Sequence, residues 1–462
     1  MENLRYPDTS LWSLRRRRAD PLGFLEALSR RGDFVPFTLA RRPAVLLNRP
    51  EHAAAVLMAH AQKFQKSSAN QRAKHLLGNG LLTADQPLHA ERRKLIQPAF
   101  ARARLEECGP AIVAHARALC GRWSDGEVVD VIDAMGRLTF GVVGETIVGA
   151  PVGPLFEQVR DAVSAATASV DPLVSLVAPL RRVHVAHARL RAVVETVLAR
   201  AASSAAESPS AEPSSVNASV APSSVAPSSV APSSVGRDFS RATSRGEALL
   251  SLLSPDPSPE QRLDDVLTIL LAGHDTMTSA LTWTWLLLAS HPGVEARLRE
   301  ELASVLGARD AEAADVAKLV YVRAVLAESL RLYPPAWVLA RQAVEAHHFE
   351  EGDVPAGTLV LVSQYLLHRD ARHFDRSGAF EPERWLHGRQ ADQPRLAYFP
   401  FGAGPRSCIG ESFAWMEGVL LLAAIAQRWK LRPVDAAFPE IEPRITLRPR
   451  PPVLMRVRSV RL

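Results

Sequence analysis

The chain has 462 residues, 47% of them hydrophobic, and a formal net charge of +6. That length buries a large core, and that composition excludes disordered and fibrous classes. The small basic excess, with no basic stripe interleaved with aromatics, speaks against nucleic acid as a partner.

The N-terminal segment shows no apolar core of a secretory signal, and nowhere does a span of about 20 apolar residues occur, so no export and no transmembrane segment are expected. Arg15 to Arg18 read as a solvated charge cluster. Residues 34–40 and 44–49 read as short strands joined by a basic turn. Segments 51–61, 88–97, 104–123 and 131–148 carry apolar residues at three- and four-residue spacing, the mark of helices packed on one face. Cys108 and Cys120 fall in helical sequence and read as buried, inert thiols. With Cys408 they make three cysteines, too few for a disulfide framework and suited to a reducing cytoplasm.

Residues 202–244 are rich in Ser, Ala, Pro and Val and repeat Ala-Pro-Ser-Ser-Val three times from Ala221 to Val235. So few large apolar side chains cannot offset the entropy of ordering, and the segment reads as a disordered surface insert within one domain spanning 1–462. Beyond it, 262–289 forms one long apolar helix, followed by helices near 293–305, 314–319 and 321–332. Short strands are expected within 342–365, with turns at Gly352 and at Pro355-Ala356-Gly357. A last long helix runs from about Ile409 to Arg428, and 443–459 alternates like strand. The balance is mainly α with small peripheral sheets.

Three places carry chemistry. In Phe401-Gly402-Ala403-Gly404-Pro405-Arg406-Ser407-Cys408-Ile409-Gly410, glycines and a proline shape a tight turn ahead of a lone cysteine. Placed at a helix start, that thiol is expected to have a lowered pKa and to serve as a metal ligand or nucleophile. Within the long helix, Ala272-Gly273-His274-Asp275-Thr276-Met277-Thr278 sets poor helix formers among apolar neighbours, which suggests a local distortion and a polar site. Asp275 would relay protons and Thr276 would open the helical ladder or hold a water. Glu328 and Arg331 stand three apart on one helix face.

The first segment resembles the haem-binding signature of the cytochrome P-450 family, Phe-x-x-Gly-x-Arg-x-Cys-x-Gly, at all five fixed positions: Phe401, Gly404, Arg406, Cys408 and Gly410. The second resembles the family's oxygen-activation motif, with Met277 where many members have Thr or Ser. Glu328-Ser329-Leu330-Arg331 resembles its Glu-x-x-Arg motif, and Pro382-Glu383-Arg384 its later Pro-Glu-Arg segment.

The resemblance implies a cytochrome P-450 fold, a large helical domain with small sheets, holding haem b. Cys408 would be the axial thiolate on the haem iron, Phe401 would pack beside it, and Gly404 and Gly410 would let the flat cofactor lie close. Arg406, His89, Arg93 and Arg341 would hold the propionates. Ala272 and Gly273 would face the oxygen pocket, with Asp275 and Thr276 as the catalytic acid–alcohol pair. Glu328, Arg331 and Arg384 would form a buried structural triad bracing the cysteine loop. Substrate would meet Ala336, Trp337, Val338 and Leu339, the 65–85 loop and the helices near 153–200.

The implied activity inserts one atom of dioxygen, by hydroxylation or epoxidation, into an apolar organic substrate. No flavin or iron–sulfur signature is present, so electrons would come from a ferredoxin or flavodoxin-type donor with an NAD(P)H reductase. The basic surface near Arg92, Lys94 and Arg104 would dock an acidic partner. A peroxygenase or isomerase on the same fold, or a non-catalytic haem or ligand binder, are the alternatives that the Asp275–Thr276 pair disfavours. His368-Arg369-Asp370 resembles a kinase loop without its Asn or a nucleotide loop, and His347-His348 reads as a surface turn.

Overall fold

A computed structural model describes residues 20–39, 42–170, 180–207, 258–386, 388 and 393–460. The Arg15–Arg18 cluster lies outside the described residues. So does the low-complexity segment from 208 onward, while its first residues belong to the helix Leu180–Glu207.

The centre of the helical body is the helix Pro259–Ser290, 32 residues and about 48 Å long. It starts where the Ser258 side chain accepts the Gln261 N–H and Pro259 fills the first turn. It stops at His291, before Pro292 opens the helix Pro292–Leu306. The helices Val131–Val143, Val320–Leu332 and Glu411–Ala426 pack around it. From Met416 on, the helix Glu411–Ala426 is buried on every side and is apolar all round apart from Glu417, as such a segment must be.

The expected distortion at Gly273–Thr276 is absent, because the helix runs unbroken from Pro259 to Ser290. The hydroxyls of Thr276, Thr278, Thr282 and Thr284 each donate to the carbonyl four residues back, so the helix absorbs its own polar side chains. Three other expectations shift. The stretch 314–319 holds only a 3-10 turn, Ala313–Asp315. The helix Val131–Val143 continues as a π-turn, Gly144–Val148. The last helix begins at Glu411, not Ile409.

The main sheet has five strands in the spatial order Phe34–Leu39, Arg42–Leu47, Leu359–Val362, Leu339–Ala343 and Phe64–Lys66. Arg42–Leu47 pairs parallel with Leu359–Val362, and the other pairs are antiparallel. Phe34–Leu39 alternates between half-buried and buried positions, with Phe37 and Leu39 in the apolar cluster that also holds Leu25 and Trp337. The register of the edge pair places Lys66 directly opposite Arg341. A hairpin of Ile441–Pro443 and Leu447–Pro449 lies against the long helix. Among the described residues no helix is long and apolar enough to cross a membrane.

Candidate functional site

The cysteine loop is built by its backbone. Gly402 N–H donates to the Phe399 carbonyl at 2.9 Å, Ser407 N–H to Gly404 at 3.0 Å, and Cys408 N–H to Phe401 at 2.8 Å. Gly402 and Gly404 both hold φ of +71°, which favours glycine. A Cβ at Gly404 would stand 1.9 Å from the Leu57 carbonyl oxygen, so loop and π-turn Ala55–Ala59 touch backbone to backbone. Gly404→Ala is therefore expected to lower the melting temperature and the fraction of protein that retains cofactor, measured by thermal unfolding and absorbance. Wild-type values for both would show that the loop can shift freely. The Phe401 ring packs edge-on against Trp415, with centroids 5.6 Å apart.

Cys408 corrects one expectation. It lies ahead of the helix that begins at Glu411, and burial pushes its thiol up to about 11, with the Glu411 carboxylate also raising it. The Gly410 backbone N–H and Arg93 act against this without winning. Yet the side chain is exposed. A sulfur both accessible and hemmed in by protein faces an internal hollow, and a bound cation there would convert it to thiolate.

A cluster of cations borders the same loop. Lys66 and Arg341 are buried, face each other across the sheet, and lie beside Arg406. Burial first, then Arg406 and Arg341, push Lys66 down to about 7. Burial and Arg406 push Arg341 down to about 10. His89 is held neutral, at about 4, by burial and then by Arg406, Lys66, Arg93 and Arg341. Asp85, which acts on Lys66 and Arg406, is itself bonded to Lys74 at 2.6 Å. Like charges directly opposed on a sheet destabilise it. This arrangement is explained by a dianion, as the two propionates of haem would provide. The buried His89 Nδ1 has no hydrogen-bond partner among the described residues and fits the same reading. A cavity of about 680 Å³, lined by His89, Arg93, Phe100 and Pro405, opens between the helix Leu88–Ile96 and the loop.

Within this cluster the expected ligands His89, Arg341 and Arg406 come together. Arg93 also serves elsewhere, since its Nη1 donates to the Ser407 carbonyl at 2.6 Å and braces the loop beside Cys408. Lys66 was missed from the sequence. The signal was its place two residues after Phe64, which puts both on the inward face of a strand.

On the long helix, Ala272 is exposed although Ile269, Leu270 and Met277 are buried, so it too faces a hollow. Thr276 lies one turn on, its hydroxyl donating to the Ala272 carbonyl at 2.8 Å. Gly273 does not face that hollow: a Cβ there would lie 2.9 Å from Val143 Cγ2, so its role is close packing on the neighbouring helix. Met277 is buried, with its sulfur 3.5 Å from where a Cβ at Gly418 would stand, so it packs against the last helix. Asp275 accepts a hydrogen bond from Thr446 at 2.9 Å.

Glu328, Arg331 and Arg384 do come together. Glu328 and Arg331 are fully buried and joined by two 2.8 Å bonds, Arg331 Nε to Glu328 Oε2 and Nη2 to Oε1. Arg384 Nε reaches Glu328 at 3.3 Å, and the Trp385 indole N–H at 2.8 Å. Arg331 also donates to the carbonyls of His368, Ser377 and Ala379. The His368 ring then accepts the Phe399 N–H at 2.9 Å, at the start of the cysteine loop. Burial and Arg331 push His368 down to about 3, so it stays a neutral acceptor. The residue set aside as a kinase look-alike is the strut between triad and ligand loop.

Three further expectations need correction. Trp337 does not line a substrate pocket: it is buried among Leu25, Phe37 and Leu361, with its indole N–H on the Arg444 carbonyl at 2.8 Å. Ala336, Val338 and Leu339 are half-buried. Arg92 is not surface charge, because it is buried and bonded to Asp265 at 2.6 Å. Lys94 is exposed, and Arg104 sits 3.5 Å from Glu107. The segment expected as a 65–85 loop carries the helix Ser68–Leu77.

Comparison with known proteins agrees with this geometry. Residues 10–456 match the Cytochrome P450 family. The chain is 33% identical to Cyclooctatin synthase of Streptomyces melanosporofaciens, over 96% of this chain and 90% of that protein. It is 32% identical to Cyclooctat-9-en-7-ol 5-monooxygenase of the same organism, over 90% of this chain and 86% of that one. The crystal structure of CYP175A1 from Thermus thermophilus superposes with a TM-score of 0.73 at 28% identity, covering 97% of each chain. An accessible thiol on a glycine-shaped loop, a cation cluster that fits a dianion and a match over nearly the whole length lead to one conclusion: the chain belongs to the cytochrome P450 family of haem-dependent monooxygenases.

Proposed function

We propose that this monooxygenase hydroxylates or epoxidises an apolar cyclic terpenoid, an alkene or alkenol, with two electrons from a separate ferredoxin or flavodoxin-type protein. The observations that carry the reading are the accessible Cys408 sulfur and, on the long helix, the exposed Ala272 with Thr276 one turn on. The substrate class is supported by relatives named as acting on cyclooctat-9-en-7-ol and pentalenene, the latter 30% identical over 91% of this chain.

When bound, haem with a thiolate ligand supplies dioxygen activation with cleavage of the O–O bond. The chain's own residues do the rest. Cys408 would ligate the iron, while Lys66, His89, Arg341 and Arg406 would hold the propionates. Asp275 would pass protons from solvent towards Thr276, whose hydroxyl would make the last transfer. Per turnover, one dioxygen, two electrons and two protons yield an oxygenated product and one water. Exposed Lys94 stays available for an acidic donor, and Arg92 does not contribute to that surface. The three free cysteines suit a cytoplasmic setting.

The test is turnover of the reconstituted enzyme with a surrogate ferredoxin, its reductase and NADPH, using pentalenene and cyclooctat-9-en-7-ol as probes. An oxygenated product whose added atom carries label from ¹⁸O₂ is expected. Oxygenation driven equally well by hydrogen peroxide without reductant would instead favour the peroxygenase. Spectral binding without any product would favour a ligand binder.

A further inference from the structure

We infer that Thr446, on the C-terminal hairpin, is a positioning residue for the Asp275 carboxylate during proton delivery. The inference rests on the reading of Asp275 and Thr276 as the acid–alcohol pair and adds a residue from a distant part of the chain.

Asp275, Ser279 and Trp283 follow one another at four-residue steps, so they form a single stripe on the long helix. All three meet the same hairpin. Thr446 Oγ1 donates to Asp275 Oδ2 at 2.9 Å, and Ser279 Oγ donates to Thr446 Oγ1 at 3.4 Å. One turn further on, the Trp283 indole N–H donates to the Leu447 carbonyl at 2.9 Å. The hairpin is held equally from its other side. Leu447 N–H donates to the Pro335 carbonyl at 3.0 Å, and the Trp337 indole N–H to Arg444 at 2.8 Å. Thr446 is therefore a fixed point, not a mobile loop tip.

Thr446 and Ser279 are both buried. A helical aspartate on its own samples several rotamers, and a fixed buried donor selects one. Because Ser279 donates to Thr446, the Thr446 hydrogen is directed to the carboxylate, and the chain of hydroxyls polarises it. His274, the neighbouring titratable group, does not compete: its Nδ1 is bonded to the Leu270 carbonyl at 2.9 Å and its ring lies against Phe140. Thr446 thus acts on the reaction only through Asp275, fixing where that carboxylate takes up and releases its proton.

The consequence is a change in how electrons are partitioned. With correct delivery, dioxygen, two electrons and two protons give one inserted oxygen and one water. With incorrect delivery, the same dioxygen, electrons and protons leave as hydrogen peroxide.

The experiment compares the haem-loaded wild type with Thr446→Val, Thr446→Ser and Asp275→Asn. Surrogate ferredoxin, reductase and NADPH supply electrons, and pentalenene is the probe. Peroxide released per NADPH and the solvent deuterium isotope effect on NADPH oxidation are read. Thr446→Val is expected to raise the peroxide fraction and isotope effect and to lower coupled turnover about ten-fold. Thr446→Ser, which keeps the hydroxyl, should stay within about two-fold of wild type on the same scale. The infrared carboxylate band of Asp275, assigned by its loss in Asp275→Asn, should move in Thr446→Val.

A band that stays in place overturns the inference even if turnover falls. Wild-type partition in Thr446→Val, with Asp275→Asn altered, overturns it and leaves the acid–alcohol reading standing. Wild-type partition in Asp275→Asn removes that reading itself. Should the valine variant not fold, Thr446→Ala takes its place in every assay with the same expected and overturning results.

Discussion

Cys408→Ala abolishes the red-shifted Soret band of the dithionite-reduced, carbon monoxide-bound protein and takes oxygenation to background. This is the largest effect expected from any single substitution. The sulfur is the accessible one: Cys108 and Cys120 are buried in the apolar core. Neither can replace it. The variant should still take up haem, because Lys66, His89, Arg341 and Arg406 are untouched and the mutual repulsion of the lysine and the two arginines still favours a dianion. Titration of the purified variant with hemin separates these two roles. Uptake without the shifted band assigns Cys408 as ligand and the cations as cradle. Absence of uptake would mean that the iron–sulfur bond, and not the cation cluster, retains the cofactor. A shifted band that survives in Cys408→Ala would overturn the assignment altogether. Cys408→His adds a control, since an imidazole ligand should bind haem and give an unshifted band.

Much of this site was legible in the sequence because its parts are local. The loop from Phe401 to Gly410 carries its shape in its own residue types. Gly404 has to be glycine for a reason visible only in three dimensions, the Leu57 carbonyl, but its presence could be read directly. The long helix was legible from periodicity, and its missing three residues at the start belong to the Ser258–Pro259 cap. What failed was reading direction from position. Gly273 and Trp337 stand beside pocket residues in sequence and point elsewhere, Gly273 at Val143 and Trp337 into the apolar cluster under the sheet. Arg92 looked like surface charge because its partner, Asp265, lies 173 residues away. Lys66 and Thr446 escaped for the same reason: each has its meaning only opposite Arg341 or Asp275. The expected low pKa of Cys408 failed because a helix start three residues away cannot outweigh burial.

The second large effect concerns Glu328, which touches no cofactor or substrate. Removing one member of a buried ion pair costs about 3–5 kcal/mol, because the other charge is left without compensation. Glu328→Ala is expected to fall at or beyond the upper end of that range. Besides Arg331, it deprives the Trp385 indole and the Glu381 N–H of their acceptor, and leaves Arg384 with Glu381 alone. Each buried group left unpaired adds about 1–3 kcal/mol. Glu328→Gln keeps one oxygen in place and should be the milder variant. In simple buried pairs, replacing both partners with apolar residues often restores stability. That rescue should fail here. Glu328→Met with Arg331→Met removes the unpaired charge but orphans the carbonyls of His368, Ser377 and Ala379. The double variant is therefore expected to accumulate poorly and to lose the shifted carbon monoxide band on mild warming. Denaturant unfolding of wild type, Glu328→Met, Arg331→Met and the double measures the coupling. Full rescue by the double would show that only the charge pair matters. Its absence would show that the triad works as a hub for backbone, passing its rigidity through the neutral His368 ring to Phe399 and so to the loop that presents Cys408.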